Sequence, residues 1–345
     1  MHILSPIVVT SPFSGSAKRH QGVATAPPGT INLPEYCERP PMTWPIPTHH
    51  SPLSPATLAK QLASVLRGRP FAVLTGAGCS TESGIPDYRG PETRRRARNP
   101  IRFNEFIREP LARRRYWARA MVGYRNFANR QPNPGHYALS ALQQEGHVHG
   151  LITQNVDDLH EQAGSTDVVA LHGSLARVRC LDCGLLMPRA DVQDQLRTLN
   201  PSFATLNAEQ APDGDAELDP AWLAHFRVVD CPNCGGPLKP HVVFFGENVP
   251  PERVQRAYDL CDAAEALLVV GSSLMVWSGY RFVRRTASHQ KPLAILNVGE
   301  SRGDALAQVR VEGLAGQVLP ELYRELACSP ANTPLRERSA TNNNS

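Results

Sequence analysis

Hydrophobic positions along the chain alternate between two periods, and that alternation predicts an architecture. Ser54 precedes Leu58, Leu62, Val65 and Leu66, which recur at three-to-four spacing until Gly68. Such positions share one face of a helix, and serine ahead of them is a favoured N-cap. Phe71 to Thr75 then reads as a short continuous apolar strand entering Gly76-Ala77-Gly78. Similar strands are predicted at Leu151 to Thr153, Val168 to Leu171, Leu267 to Val270 and Leu293 to Asn297, with a helical pattern over 251–265. Strands that are apolar at every position are buried on both faces, as in a parallel sheet between helix layers. The predicted fold class is α/β: a doubly wound, Rossmann-like parallel sheet.

Three stretches depart from this pattern. Residues 1–53 are crowded with proline and read as a disordered arm, because proline lacks an N–H and restricts its predecessor. Residues 332–345 read as a polar tail, which leaves 54–331 as the folded unit. Inside that unit, residues about 175–240 form an insertion carrying Cys180-Leu181-Asp182-Cys183 and Cys231-Pro232-Asn233-Cys234. A C-x-x-C turn sets two thiolates on one side of a knuckle, and two knuckles complete the tetrahedron zinc favours. Disulfides or a redox pair are the alternatives, but a redox C-x-x-C is rarely duplicated. Four cysteines leave no open coordination position, so the predicted zinc is structural.

Composition narrows the function classes. Of 345 residues, 41% are hydrophobic and 20% charged, as in ordinary globular proteins. No apolar run approaches the ~18 residues of a membrane span. The first residues lack a basic start and a cleavage site, so cytoplasmic residence is expected over secretion or a mitochondrial address. Only Lys18, Lys60, Lys239 and Lys291 among the 36 basic residues are lysine. The arginine clusters invite a nucleic-acid reading, but a net charge of +4 with acids throughout disfavours it.

The glycine turn taken alone is a weak dinucleotide signal, because Thr81 stands where a third glycine belongs. The longer string Gly76-Ala77-Gly78-Cys79-Ser80-Thr81-Glu82-Ser83-Gly84-Ile85-Pro86-Asp87-Tyr88-Arg89 closely resembles the cofactor loop of the sirtuins, NAD-dependent protein deacylases. Further motifs follow in family order: Gln154-Asn155-Val156-Asp157, Leu171-His172-Gly173, the four cysteines, Val243-Phe244-Phe245-Gly246-Glu247, Gly271-Ser272-Ser273 and Asn297-Val298-Gly299. The resemblance covers about residues 54–325. The long cysteine insertion, Gln131-Pro132-Asn133-Pro134 and the run from Arg115 to Arg119 look most like class II, the branch containing the mitochondrial sirtuin 4.

The resemblance implies that NAD is consumed. The acyl-lysine oxygen attacks the ribose carbon as nicotinamide leaves, and the acyl group ends on ADP-ribose. It makes His172 the general base, a role suited to imidazole near neutral pH. Asn155 orients the ribose and water, beside Gln154, while Asp157 and Ile85 line the nicotinamide pocket. Gly76, Ala77, Gly78 and Ser80 approach the pyrophosphate, with Asp87, Tyr88 and Arg89 helping to hold NAD. Ser272, Ser273 and Asn297, with Gly271, take the adenosine ribose, and Ala315 lies on the adenine side. Val243, Phe244, Phe245, Gly246 and Glu247 offer backbone hydrogen bonds to an extended acyl-lysine peptide. Tyr116 and Arg119 resemble a pair that reads acidic acyl groups, against the plainer reading that arginine is abundant here. Mono-ADP-ribosyl transfer and removal of larger acyl groups are the alternatives on the same fold.

Overall fold

The structure, a computed structural model, describes residues 52–87, 100–203 and 223–327. Helix α1 (Pro55–Leu66) starts at Ser54, whose hydroxyl accepts from the Thr57 N–H. Strand β1 (Phe71–Thr75) follows, buried at every position. Helices α2 (Phe103–Arg108), α3 (Pro110–Ala128) and α4 (Pro134–Gln144) lead to β2 (Val148–Thr153). A one-turn helix, α5 (Leu159–Gln162), precedes β3 (Val168–Ala170). The chain then builds a separate small sheet from β4 (Gly173–Cys180), β5 (Leu186–Pro188) and β6 (Leu238–Val242), with α6 (Arg189–Leu199) between the last two. It returns through α7 (Pro251–Ala263), β7 (Ala266–Val270), α8 (Trp277–Ser288), β8 (Leu293–Leu296), β9 (Val309–Val311) and α9 (Ala315–Leu326).

The large sheet runs β3-β2-β1-β7-β8-β9 and every pairing is parallel. Its alternate residues feed two cores. Phe71 and Val73 pack with Leu62, Leu139 and Leu319 on one face, while Ala72 and Leu74 pack with Leu260 and Phe282 on the other. Strand order reverses between β1 and β7, and at such a switch point the loops splay apart at the strands' C-terminal ends. The doubly wound sheet is therefore present as predicted, with its crevice beside Gly76 and Gly271.

The edges of the pattern carry a weaker signal. Strand β9 has Arg310 between two valines, and as an edge strand of three residues it leaves almost no periodicity. Helix α3 spans 19 residues, yet the sequence predicts helix only around 115–119, because a run of arginines dilutes its apolar face. The small sheet is antiparallel, in the order β5-β4-β6. Among the described residues no helix is long and apolar enough to cross a membrane. The predicted arm up to Ser51, the tail, Tyr88 and Arg89 lie outside the described residues.

Candidate active site and cysteine centre

The two loops at the switch point are built against each other, backbone to backbone. The Gly78 N–H donates to the Gly271 carbonyl at 2.8 Å, and the Gly76 N–H donates to the Val270 carbonyl at 3.0 Å. A Cβ at Gly271, where φ is +60°, would lie 2.2 Å from the Cys79 nitrogen. These glycines thus hold the crevice together as well as leaving its floor open. No long helix starts here. The loop makes two 3₁₀ turns, Ala77–Cys79 and Thr81–Ser83, and Gly84 in the left-handed region ends the second. Half-buried Glu82 reaches across to accept from the Gly316 N–H, tying the loop to the start of α9 beside Ala315.

Strand β2 ends at Thr153, so the extended geometry that would put Asn155 and Asp157 on one side does not persist. Ser80 brings them together instead. Its hydroxyl donates to Asp157 Oδ2 at 2.8 Å and accepts from Asn155 Nδ2 at 3.1 Å. Asn155 Nδ2 also donates to the Gly76 carbonyl, and Asp157 Oδ1 accepts from the Leu159 N–H. Burial pushes the Asp157 carboxyl up from its ordinary pKa, while the Leu159 and Ser80 hydrogen bonds oppose that shift. Ile85 is buried nearby, packed with Phe127, Leu159 and Leu175. Gln154 Nε2 donates to Ser272 Oγ at 2.8 Å, joining the β2 end to the β7 turn.

Beneath this network lie two histidines that sequence patterning does not single out, His136 and His160, with ring centroids 4.7 Å apart. Burial holds both neutral: it lowers His136 well below the ordinary range and His160 to about 3. Thr75 Oγ1 donates to Thr153 Oγ1 and so accepts from His160 Nε2 at 2.9 Å. Nothing in the spacing of these histidines separates them from core residues.

His172 follows β3 and sits where the small sheet leaves the large one. Its Nδ1 is 2.8 Å from the Gln154 carbonyl, an oxygen that only accepts, so Nδ1 carries the proton. Nε2 therefore presents a lone pair and accepts from the Ser278 hydroxyl at 2.8 Å. Burial lowers the His172 pKa, the Gln154 hydrogen bond opposes this, and the Arg253 charge adds to the lowering. The ring is neutral at pH 7 and fixed in the tautomer a general base needs. Sequence reasoning misses Ser278, since a lone serine at a helix start looks like an ordinary cap.

The segment from Val243 to Glu247 is a closed turn with little free strand edge. The Val243 N–H donates to the His172 carbonyl at 2.8 Å, and the Phe103 N–H donates to the Phe245 carbonyl. Glu247 accepts from the Phe244 N–H at 2.8 Å and pairs with buried Lys239 at 2.9 Å. Phe244 packs against Phe106 and Tyr116, and Tyr116 is only 7% exposed. Tyr116 thus supports this turn, with Arg119 half-buried one turn further along α3. The Phe245 and Gly246 N–H groups take no internal partner among the described residues. Phe245, Met275 and Trp277 are exposed apolar side chains.

Of the remaining predicted contacts, Ser272 and Asn297 are nearly buried at the ends of β7 and β8. Asn297 Nδ2 donates to the Val298 and Gly299 carbonyls. Ser273 is half-buried beside Ser272, and its carbonyl accepts from the Arg302 N–H. Asp87 is half-buried at the limit of the described loop.

In the small sheet the four predicted cysteines converge. Their sulfurs lie within 4.8 Å of one another, with Cys180 to Cys234 at 3.5 Å and Cys183 to Cys231 at 3.7 Å. Tetrahedral zinc with Zn–S bonds of ~2.3 Å sets sulfurs ~3.8 Å apart. All four are free thiols, so the disulfide alternative falls. The donor set fits a structural zinc.

A Rossmann-type crevice at a switch point, a neutral histidine of fixed tautomer and a four-cysteine module point to a dinucleotide-using enzyme with a zinc-stapled side sheet. Comparison with known proteins makes this specific. The model of the Sir2 family matches residues 76–278, and the chain belongs to that family. It is 53% identical over 257 residues to the NAD-dependent protein deacetylase of Xanthomonas axonopodis pv. citri, covering 74% of this chain and 88% of that one. It is 50% identical over 277 residues to NAD-dependent protein deacetylase 1 of Mycobacterium avium, covering 79% and 97%. A solved structure of Sir2 with p53 peptide and NAD+ matches with a TM-score of 0.60 at 28% identity, covering 77% of this chain and 97% of that chain.

Proposed function

We propose that the chain, like its bacterial relatives an NAD-dependent protein deacetylase, is of the class II type, acts on acyl-lysine proteins or peptides and resides in the cytoplasm. The observation that carries the reading is His172, held neutral with Nδ1 on the Gln154 carbonyl and the Nε2 lone pair taken by the Ser278 hydroxyl. NAD, when bound, supplies an electrophilic ribose carbon and nicotinamide as leaving group.

The chain's own groups do the rest. Gly76, Ala77 and Gly78 would face the pyrophosphate. Ser272, Ser273 and Asn297 would take the adenosine ribose, and Ala315 the adenine side. Asp157 and Ile85 would line the nicotinamide end, their positions fixed through Ser80, Asn155 and the Leu159 N–H. Asp87, Tyr88 and Arg89 belong to the same cofactor loop. The Phe245 and Gly246 N–H groups would meet the peptide main chain, and Glu247 would hold their turn through Lys239. His172 Nε2 would receive the proton of a hydroxyl placed where Ser278 now donates.

The test is incubation of the full chain with NAD and a panel of acetyl-, lipoyl- and succinyl-lysine peptides, following nicotinamide, free lysine and O-acyl-ADP-ribose by mass spectrometry. Acetyl-lysine turnover with all three products is expected. ADP-ribosylated protein without lysine release would give the transferase reading its place.

A further inference from the structure

Beside His172 the small sheet carries a concentration of positive charge that the fold does not consume. Arg177 and Arg179 are exposed and, two apart on β4, point to the same face. The register sets Lys239 directly opposite Arg179. His241 lies two residues further along β6, and Arg253 of α7 donates to His241 Nε2 at 2.9 Å. That bond occupies the imidazole lone pair. Burial and the surrounding Arg253, Arg179, Lys239 and Arg177 charges also lower the His241 pKa, so the ring carries no charge of its own.

The acids near this face are few. Glu247 is spent on Lys239. Asp158 feels Arg177 but holds the Ser174 hydroxyl, and Glu252 acts on Arg253 only at a distance. Among the described residues, Arg177, Arg179 and Arg253 form no ion pair within 4.0 Å. Guanidinium stays charged at any accessible pH. Three guanidiniums on one face without a close ion pair repel one another, a cost that an anionic partner relieves.

The face starts at the reacting histidine. Gly173 follows His172 directly, and a Cβ there would lie 2.0 Å from the His241 carbonyl oxygen and 3.2 Å from Arg253 Nη1. From that point β4 carries Arg177 and Arg179 away at ~3.3 Å per residue, so they stand roughly 13–20 Å along the strand. This is too far for a carboxylate on the acyl chain itself, but it matches several residues of extended peptide. We propose that Arg177, Arg179 and Arg253 form a docking face for acidic residues flanking the acyl-lysine of the substrate. This inference rests on the deacetylase reading and specifies the substrate class.

The test uses two acetyl-lysine peptides of equal length, one with Asp and Glu on both sides of the lysine and one with Gln and Ser there. Full-chain kcat/KM is measured for each at 50 and 500 mM NaCl. We expect the acidic peptide to be favoured about tenfold at low salt, through KM, and the preference to collapse at high salt as screening shortens the field. The double variant Arg177→Glu/Arg179→Glu should lose the preference. Its kinetics with the neutral peptide, its KM for NAD and its Tm should stay within twofold or a few degrees of the parent. Equal kcat/KM for the two peptides would overturn the proposal, as would a preference that survives charge reversal. So would selection of succinyl-lysine whatever its flanks, or loss of oligonucleotide binding in the double variant with peptide kinetics unchanged. If neither peptide turns over in the parent, the deacetylase reading itself fails, a result distinct from turnover without charge preference.

Discussion

The two sheets of this protein are held together in different ways. Strands β1, β7 and β8 are buried at every position and sandwiched between two apolar cores, so burial alone accounts for their order. In the small sheet, β4 exposes Ala176, Arg177 and Arg179, and β5 is exposed at both ends. Its apolar support comes from α2, α3 and α6 on one side, through Phe106, Trp117 and Leu196, while four sulfurs close the other end. A sheet of three short strands has little stability of its own, and a metal staple supplements a core that covers it on one side only. The contrast fits the proposed chemistry: the rigid sheet would carry the cofactor loops, and the stapled sheet would deliver substrate to their edge.

The largest predicted effect breaks the contrast at the staple. Cys183→Ser, or zinc removal by chelation, should abolish deacetylation. Far-UV circular dichroism should lose only the small sheet's contribution, and a heat-induced transition from the large sheet should remain. Loss of the whole fold would mean the two sheets are a single cooperative unit.

How much of this is legible in the sequence follows the same division. The strands of the large sheet are readable because a short apolar run between turn residues fits a strand covered on both faces and little else. The cysteine pairs are readable because their spacing is itself the chemistry. The Ser80 bridge is not, because it joins residues far apart in the chain that meet only after β2 ends. Ser278 and Arg253 are hidden for the same reason: each acts across elements, through His172 and His241. Val243 to Glu247 resembles a peptide-binding edge, and only the fold shows how much of its backbone the turn already uses.

A smaller effect probes the rigid side. Gly271→Ala forces a side chain into the left-handed region and against the Cys79 nitrogen, costing at least about 2 kcal/mol. Urea denaturation should show that loss, and KM for NAD should rise because the two loops separate. An unchanged midpoint would mean that the close approach of the loops is relaxed in solution.

Smaller still is the hydrogen bond that connects the two regions. Ser278→Ala removes the hydroxyl that favours neutral His172, so the imidazole pKa should rise toward its ordinary value. The acid limb of kcat/KM against pH, placed below 6.5 in the parent by the lowered His172 pKa, should therefore move upward. Because the reacting hydroxyl would take the place of Ser278 on Nε2, the worth of one hydrogen bond, about 1 kcal/mol or roughly fivefold in rate, is the upper bound on the change in kcat. A fall in rate with an unshifted limb would make Ser278 a packing residue only.

The most direct measurement is the coupling of the two products on one acetyl-lysine peptide. Nicotinamide and free lysine are quantified from the same reaction, for the parent and for His172→Ala. One nicotinamide should appear per lysine freed, with no lysine release when NAD is left out. Lysine release should fall more than about a hundredfold in the variant. Lysine release that proceeds without NAD, or a His172→Ala variant as active as the parent, would contradict a mechanism that consumes NAD and runs through His172.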